Sequence, residues 1–236
     1  KHVYVVRIFL LLTADPLVPH PMSTHSLSQF FIKCHCCLNN QPAVMGMVFG
    51  RTNMAELVFD AILTRSSAAM LHQVRKCGVP HACETESRPG MGFRALAGYI
   101  GVGTDPQNYD RQGIAMTAPV VTNPTKRMSF ILPAEYDSFD KIPKPTNPNV
   151  TITKLPSSMG AAHTFNGSCT DERAKIKAQD LVHQLKEDGV DLDEKVAMET
   201  FELWQFHPPF TIPMLKKTEV WIHLTKEQVN KLSSTR

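Results

Sequence analysis

The chain has 236 residues, of which 42% are hydrophobic, and this is enough for one sizeable globular domain with an extension. Its 25 Lys and Arg residues nearly balance its 22 Asp and Glu residues, and the basic residues are scattered along the chain. Because nucleic-acid binding needs clustered cations to neutralise phosphates, we expect no nucleic-acid partner.

Residues 1–53 differ in composition from the rest of the chain. Between Pro16 and Ala55 there is no Asp or Glu, whereas Ser, Thr, Pro and Asn are frequent. Such a segment offers few periodic apolar positions to offset the entropy of ordering, so we predict a poorly ordered extension or leader. The Cys-His-Cys-Cys run at 34–37 is too tightly spaced for its side chains to converge on one tetrahedral zinc ion.

The compartment is inferred from the cysteines and from this leader. The six cysteines form no regular disulfide framework, so free thiols in a reducing compartment are the simplest interpretation, and we expect a cytoplasmic protein. An acid-poor, Ser-rich leader is also typical of organelle transit peptides, and a plastid location is the alternative. No run of about 18 apolar residues occurs, so no transmembrane segment is predicted.

From Met54 onward, apolar segments alternate with turn residues, which is typical of a compact domain built from short elements. We place this domain at residues 54–225 and treat residues 226–236 as a C-terminal tail. Its first two strands are predicted at 56–63 and 71–76, with helix as the alternative for both.

A Gly and Pro turn at 78–80 precedes residues 81–86, which we predict to return alongside 71–76 as a hairpin. The sequence FRALAGYI at 93–100 has apolar residues at helical spacing and ends in Gly101, which predicts a helix. Later strands are predicted at 114–122, 128–132, 150–154, 161–165, 198–206 and 219–224.

The second helix is predicted at 171–188, where apolar residues line one face, acids occupy the first turn and Gly189 follows the end. A Pro-rich connector at 143–148 separates two halves that share a loose order of strands, one helix and strands. This order favours an antiparallel α+β fold over a doubly wound sheet. No Gly-rich phosphate loop follows any predicted strand, which agrees with that choice.

Nine segments, taken together, resemble a known family. In chain order they are MGMVFG at 45–50, LHQVRK at 71–76, FRALAGYIGV at 93–102, IAMTAPVV at 114–121, MSFILP at 128–133, PKPTNPNV at 143–150, KEDGV at 186–190, PPFTIP at 208–213 and EVWI at 219–222. In order and spacing they are similar to the SOUL heme-binding family, in particular its plant and algal branch. The resemblance implies a distorted antiparallel β-barrel flanked by two helices and built from two pseudo-symmetric halves.

The resemblance also implies a non-catalytic carrier that binds heme or another tetrapyrrole in an apolar surface groove, and we expect it to be a monomer. In the family, the exposed face of the first helix and the adjacent TAPV segment supply this groove. Carried onto this chain, the cofactor-binding positions are Phe93, Arg94, Ala97, Met116 and Pro119. Arg94 is the only cation on that stretch, and it would pair with a propionate.

Several side chains are candidates for an axial ligand to iron, but none matches a fixed ligand of the family. They are His72, His81, His163, His207, Cys77 and Cys83. We therefore expect weak or no ligation of iron by the protein, and no separate metal site. Two other functions stay open: a small-molecule-sensing or protein-interaction module without heme, and, less favoured, a Cys-dependent enzyme using Cys83 with the neighbouring His81 and Glu84.

Overall fold

The structure is a computed structural model that describes residues 49–234, apart from residues 51, 53, 68–69, 87–90 and 209. Most of the extension predicted at 1–53 lies outside the described residues. The strands are β1 (Ala55–Glu56), β2 (Phe59–Ser66), β3 (Leu71–Cys77), β4 (His81–Glu86), β5 (Thr117–Ala118), β6 (Val120–Thr122), β7 (Arg127–Ile131), β8 (Thr151–Lys154), β9 (Ser158–Asn166), β10 (Glu202–Gln205) and β11 (Lys217–Leu224). The α-helices are α1 (Met91–Ile100), α2 (Asp171–Glu187), α3 (Glu194–Thr200) and α4 (Lys226–Ser234).

The main sheet has nine strands in the order β2-β3-β9-β11-β10-β6-β7-β4-β8, and all neighbouring pairs are antiparallel. A second, two-stranded sheet pairs β1 with β5 in parallel. The α+β class and the antiparallel sheet are therefore confirmed. Within the described residues the main sheet runs from an edge at β2 to an edge at β8, so the predicted closure into a barrel is not observed, and four helices are present instead of two.

The strand order is symmetric about the contact between β6 and β10. The first half contains, in chain order, β3, β4, α1, β6 and β7. The second half repeats this order of strands and helix with β8, β9, α2, β10 and β11. The first strand of each half pairs with a strand of the other half: β3 pairs with β9, and β8 pairs with β4. This arrangement supports the prediction of two pseudo-symmetric halves.

The exchange of strands corrects the predicted hairpin of 71–76 with 81–86. β3 pairs with β2 and β9, whereas β4 pairs with β7 and β8. The turn at 78–80 therefore carries the chain from one half of the sheet to the other. Both segments were correctly predicted as strands, but the sequence of a strand does not specify which neighbour it pairs with.

Two segments near the C-terminus also differ from the prediction. The strand predicted at 198–206 begins only at Glu202, because the residues before it form α3. The Asp193 side chain caps this helix by accepting a hydrogen bond from the Val196 N–H (3.1 Å). The segment predicted as a C-terminal tail forms α4, whose Val229 and Leu232 are buried in the core.

Apolar side chains pack on both faces of the main sheet. On one face, α1 packs on β4 and β7, and α2 packs on β9 and β11. On the other face, the rings of Trp204 and Trp221 stack with 4.7 Å between their centroids, under Met54 and Leu57 from the start of the domain. Gly160 permits this packing, because a Cβ there would lie 2.4 Å from the Trp221 ring.

Candidate functional site

The first helix, α1, carries three of the five predicted site residues. Its Leu96, Tyr99 and Ile100 are buried against the first half of the sheet. At its end the Val102 N–H donates to the Ala97 carbonyl (2.8 Å) around a left-handed glycine, Gly101, with φ 85°. This is the Schellman arrangement, which ends the helix and turns the chain back towards the sheet.

Buried hydrogen bonds fix the loop that follows α1. The Asn108 side-chain amide donates to the carbonyls of Tyr99 (3.0 Å) and Gln112 (2.8 Å), and the Ile114 N–H donates to the Ile100 carbonyl (3.0 Å). Asn108 is 2% exposed, so these bonds are shielded from water. The loop is thereby held against α1 and leads directly into the TAPV segment.

The structure brings Phe93 and Met116 to the same part of the molecule. Both are half-buried and both pack on the core cluster beneath α1. The Phe93 ring meets Phe130 of β7 edge to face, with 5.3 Å between centroids. Arg94, on the next residue of the helix, is exposed. An apolar surface and an exposed cation therefore occur together on α1.

The other two predicted residues are placed differently. Ala97 is only 7% exposed, and Pro119 is buried after a cis peptide bond with Ala118. Both residues are buried, so they offer little area for a ligand. A stripe of apolar residues identifies the buried side of a helix but does not show how far the neighbouring strands cover it.

Further half-buried apolar side chains, which sequence reasoning missed, pack on the same core cluster. With Phe93 and Met116 they make up what we call the apolar surface: Phe93, Ala95, Val102, Met116, Val120, Met128 and Ile152. The signal for the additional strand residues was present, because Val120 and Met128 alternate with residues of the opposite face along β6 and β7.

The candidate axial histidines lie outside the apolar surface, and most have other contacts. Both ring nitrogens of His207 are engaged, Nε2 with the Gly50 carbonyl (3.1 Å) and Nδ1 with the Lys217 N–H (3.0 Å). The His163 Nδ1 contacts the Leu71 carbonyl (2.9 Å), and the ring of His81 packs against Phe139. The last candidate, His72, is buried and lines a different cavity.

The candidate cysteines are poor thiolates. Burial raises the pKa of Cys77 to about 11 and that of Cys83 to about 12. Cys83 is fully buried, and its Sγ contacts the Phe130 carbonyl at 3.8 Å. Its neighbour Glu84 accepts a hydrogen bond from the Ser129 hydroxyl (2.9 Å). Because nucleophilic catalysis requires an accessible thiolate, the geometry gives no support to the Cys83 enzyme hypothesis.

Comparison with known proteins identifies the family. The model described as SOUL heme-binding protein matches residues 68–223, which is more than half of the chain. The chain therefore belongs to the SOUL heme-binding protein family, as its motifs predicted. Its place in the plant and algal branch stays a prediction. No curated protein sequence gives a significant match.

Several solved structures share a distant similarity. The EcmrR C-terminal domain is 11% identical, with a TM-score of 0.46 over 70% of this chain and 99% of that chain. A putative bacterial transcription regulation protein from Staphylococcus aureus MU50 is 12% identical, with a TM-score of 0.33 over 65% and 97% of the two chains. The structure of SAV2435 bound to tetraphenylphosphonium is 10% identical, with a TM-score of 0.32 over 66% and 95%. These similarities are too low to inform the function.

Proposed function

We propose that this protein binds heme and related tetrapyrroles without catalysis and carries them on the apolar surface beside α1. The observation that supports this proposal is the combination of half-buried Phe93 and Met116 with exposed Arg94. A macrocycle needs a flat apolar surface, and its propionates need a cation at the edge of that surface. Membership of the SOUL heme-binding protein family agrees with this ligand.

The described residues fit a tetrapyrrole held by its ring and its propionates. Apolar contact would come from Phe93 and Met116, and Arg94 would attract a propionate through an exposed guanidinium. No candidate histidine or cysteine lies on the apolar surface itself. We therefore expect the protein to ligate iron weakly or not at all, and we expect metal-free porphyrin to bind about as well as heme.

The experiment is an optical titration of the protein with heme and with metal-free protoporphyrin. We expect Arg94→Glu to weaken binding of both ligands by roughly tenfold, because it replaces attraction of the propionates by repulsion. The matched control is Lys195→Glu, which makes the same charge change at an exposed position on α3 in the second half. This control should bind as the wild type does, and circular dichroism should show that both variants are folded.

A second variant, Met116→Gln, tests the apolar contact. It should weaken the binding of both ligands to a similar extent, because the thioether is replaced by an amide that must lose water when the ligand binds. Tight binding of heme alone would point instead to ligation of iron. Binding of neither ligand would contradict the carrier function and favour the small-molecule-sensing or protein-interaction module.

The proposed location is the cytoplasm, and the proposed state is a monomer. Cys77, Cys83 and Cys169 of the described residues are free thiols, which agrees with a reducing compartment. In the part of the chain that the structure describes, none of the helices has the length and apolarity needed to cross a bilayer. Cell fractionation and light scattering test the two statements, and a plastid location is the alternative to the first.

A further inference from the structure

A cavity of about 460 Å³ lies at the β2 edge of the main sheet, between β2, the start of β3, the end of α2 and α4. It is separate from the apolar surface beside α1, with which it shares no lining residue. The lining is apolar on one side, with Ile62, Leu63 and Leu232. On the other side it is polar, with Arg65, Ser66, Ser67, His72, Gln184, Asp188 and Ser233.

Within this cavity, polar atoms of His72 and Asp188 are buried without a hydrogen bond. Among the described residues, the buried side-chain nitrogen and oxygen atoms that make no hydrogen bond are Nδ1 and Nε2 of His72 and Oδ2 of Asp188. His72 is 1% exposed. Buried polar groups are almost always paired with protein, water or an ion, so three such atoms in one cavity indicate something that binds there.

The separation of two of these atoms suits a metal ion. The His72 Nε2 lies 3.3 Å from the Asp188 Oδ2 without the geometry of a hydrogen bond. An ion about 2.1 Å from each atom would subtend an angle of about 104° between them, close to the tetrahedral value. Imidazole nitrogen together with carboxylate oxygen is a ligand pair that zinc and similar first-row divalent ions accept.

The end of α2 and neighbouring side chains hold Asp188 in place, and the Arg65 guanidinium lies near its second oxygen. Asp188 is the C-cap of α2, where the helix dipole is negative. Its other oxygen, Oδ1, accepts a hydrogen bond from the Gln184 side-chain amide (3.3 Å) and lies 3.7 Å from the Arg65 guanidinium. Arg65 also donates to the Leu232 carbonyl (2.6 Å). Such contacts to the second oxygen are typical of the outer shell of a metal site.

The rest of the coordination sphere would be water. Among the residues that the structure describes, no group of three or more His, Cys, Asp and Glu side chains is placed to hold a metal ion. The cavity has room for several waters, since each occupies about 30 Å³ in the liquid.

We propose that His72 and Asp188 form an open binding site for a divalent ion of the zinc class, with water completing the coordination. This site is independent of the tetrapyrrole surface, and either proposal can fail without the other. Two protein ligands give a labile site with modest affinity, in contrast to the closed four-ligand sites of structural zinc.

The test is isothermal titration of the full chain, first stripped with a chelator, with zinc chloride. We expect one ion per chain, and a loss of affinity of at least roughly tenfold in both His72→Gln and Asp188→Asn, each of which removes one ligand. Asp188→Asn is the safer variant for folding, because it keeps the shape of a partly exposed side chain. Cobalt should give the visible absorption of a tetrahedral site in the wild type only, and magnesium should not bind.

The matched control is His183→Gln, which removes an exposed histidine that lies 3.8 Å from the carboxylate of Glu194. Unchanged zinc binding in this control is expected, because the pair lies on the surface and outside the cavity. Equal affinity in wild type and Asp188→Asn would overturn the proposal, as would loss of binding in His183→Gln or no stoichiometric binding at all. In those cases His72 and Asp188 form a direct ion pair.

Discussion

Cys83 shows how the environment of a single residue decides which chemistry it supports. Its thiol is fully buried beneath α1, and burial raises its pKa to about 12. At pH 8 a thiol with that pKa is ionised to a fraction of only about 10⁻⁴, so Cys83 behaves as a small apolar residue of the core. The sequence placed it beside His81 and Glu84, but sequence alone does not show burial by a distant helix.

The same pKa shift predicts a dependence of stability on pH. In the unfolded chain the thiol has its ordinary pKa of 9.0, so above pH 9 the unfolded state releases a proton that the folded state keeps. Stability contributed by Cys83 is therefore present below pH 9 and is lost as the pH rises towards 12. We expect a loss of about 1.4 kcal/mol between pH 8 and pH 10 from this residue.

The measurement is urea unfolding of the wild type and Cys83→Ala at both pH values. The difference in unfolding free energy between the two proteins should shrink by that amount at the higher pH, because alanine has no proton to release. Other groups that titrate in this range are common to both proteins and cancel. An identical difference at pH 8 and pH 10 would contradict the prediction.

The ligand surface was predicted from the resemblance to the SOUL family, and it stays a prediction. The resemblance placed Phe93 and Arg94 on the exposed face of α1, and the structure leaves both with solvent contact. The resemblance could not show that Ala97 and Pro119 are buried in this chain. His72 and Asp188 are far apart in the sequence and meet only in the folded chain, so no local pattern could have paired them.

At the scale of elements, the end of α2 gives a sharp test of backbone conformation. Gly189 has φ 88°, and a Cβ there would meet nothing within 4 Å, so only the backbone conformation disfavours a side chain. We expect Gly189→Ala to lower the free energy of unfolding by about 1 kcal/mol. The matched control is Gly78→Ala, in the turn between β3 and β4, where the space is equally open and φ is not in the left-handed region.

Gly78→Ala should leave stability unchanged or raise it slightly, because alanine has fewer conformations to lose from the unfolded chain. Both variants can be measured by thermal unfolding. Equal destabilisation of the two variants would contradict the prediction, because only Gly189 has the left-handed backbone conformation.

Elements with a strong local signal were predicted well, and those that depend on distant partners were not. α2 has its cap at Thr170, its apolar face and its terminal glycine all in one stretch, and its predicted ends agree with the structure within a residue. β4 was correctly recognised as a strand, but its partners β7 and β8 are distant in sequence. The start of α3 at Asp193 carried a capping signal that was overlooked in favour of a longer strand.

At the scale of the whole molecule, the exchange of strands joins the two halves. β3 of the first half pairs with β9, and β8 of the second half pairs with β4, so neither half completes its own sheet. A buried ion pair adds to this link between the halves, since Arg75 of β3 donates two hydrogen bonds to Glu219 of β11 (2.6 and 3.2 Å). Removing one partner of such a pair typically costs about 3–5 kcal/mol, so the halves are energetically coupled.

This coupling predicts that the described domain unfolds in one step. Both tryptophans, Trp204 and Trp221, lie in the second half, so their fluorescence reports that half, whereas far-ultraviolet circular dichroism reports both. Leu96→Ala, which removes a fully buried side chain from the first half, should lower stability by about 2–5 kcal/mol. The fluorescence midpoint in urea should shift by the same amount as the dichroism midpoint, although both tryptophans are in the other half. A dichroism transition in two steps, with the fluorescence midpoint unmoved, would show that the halves fold independently despite the shared strands.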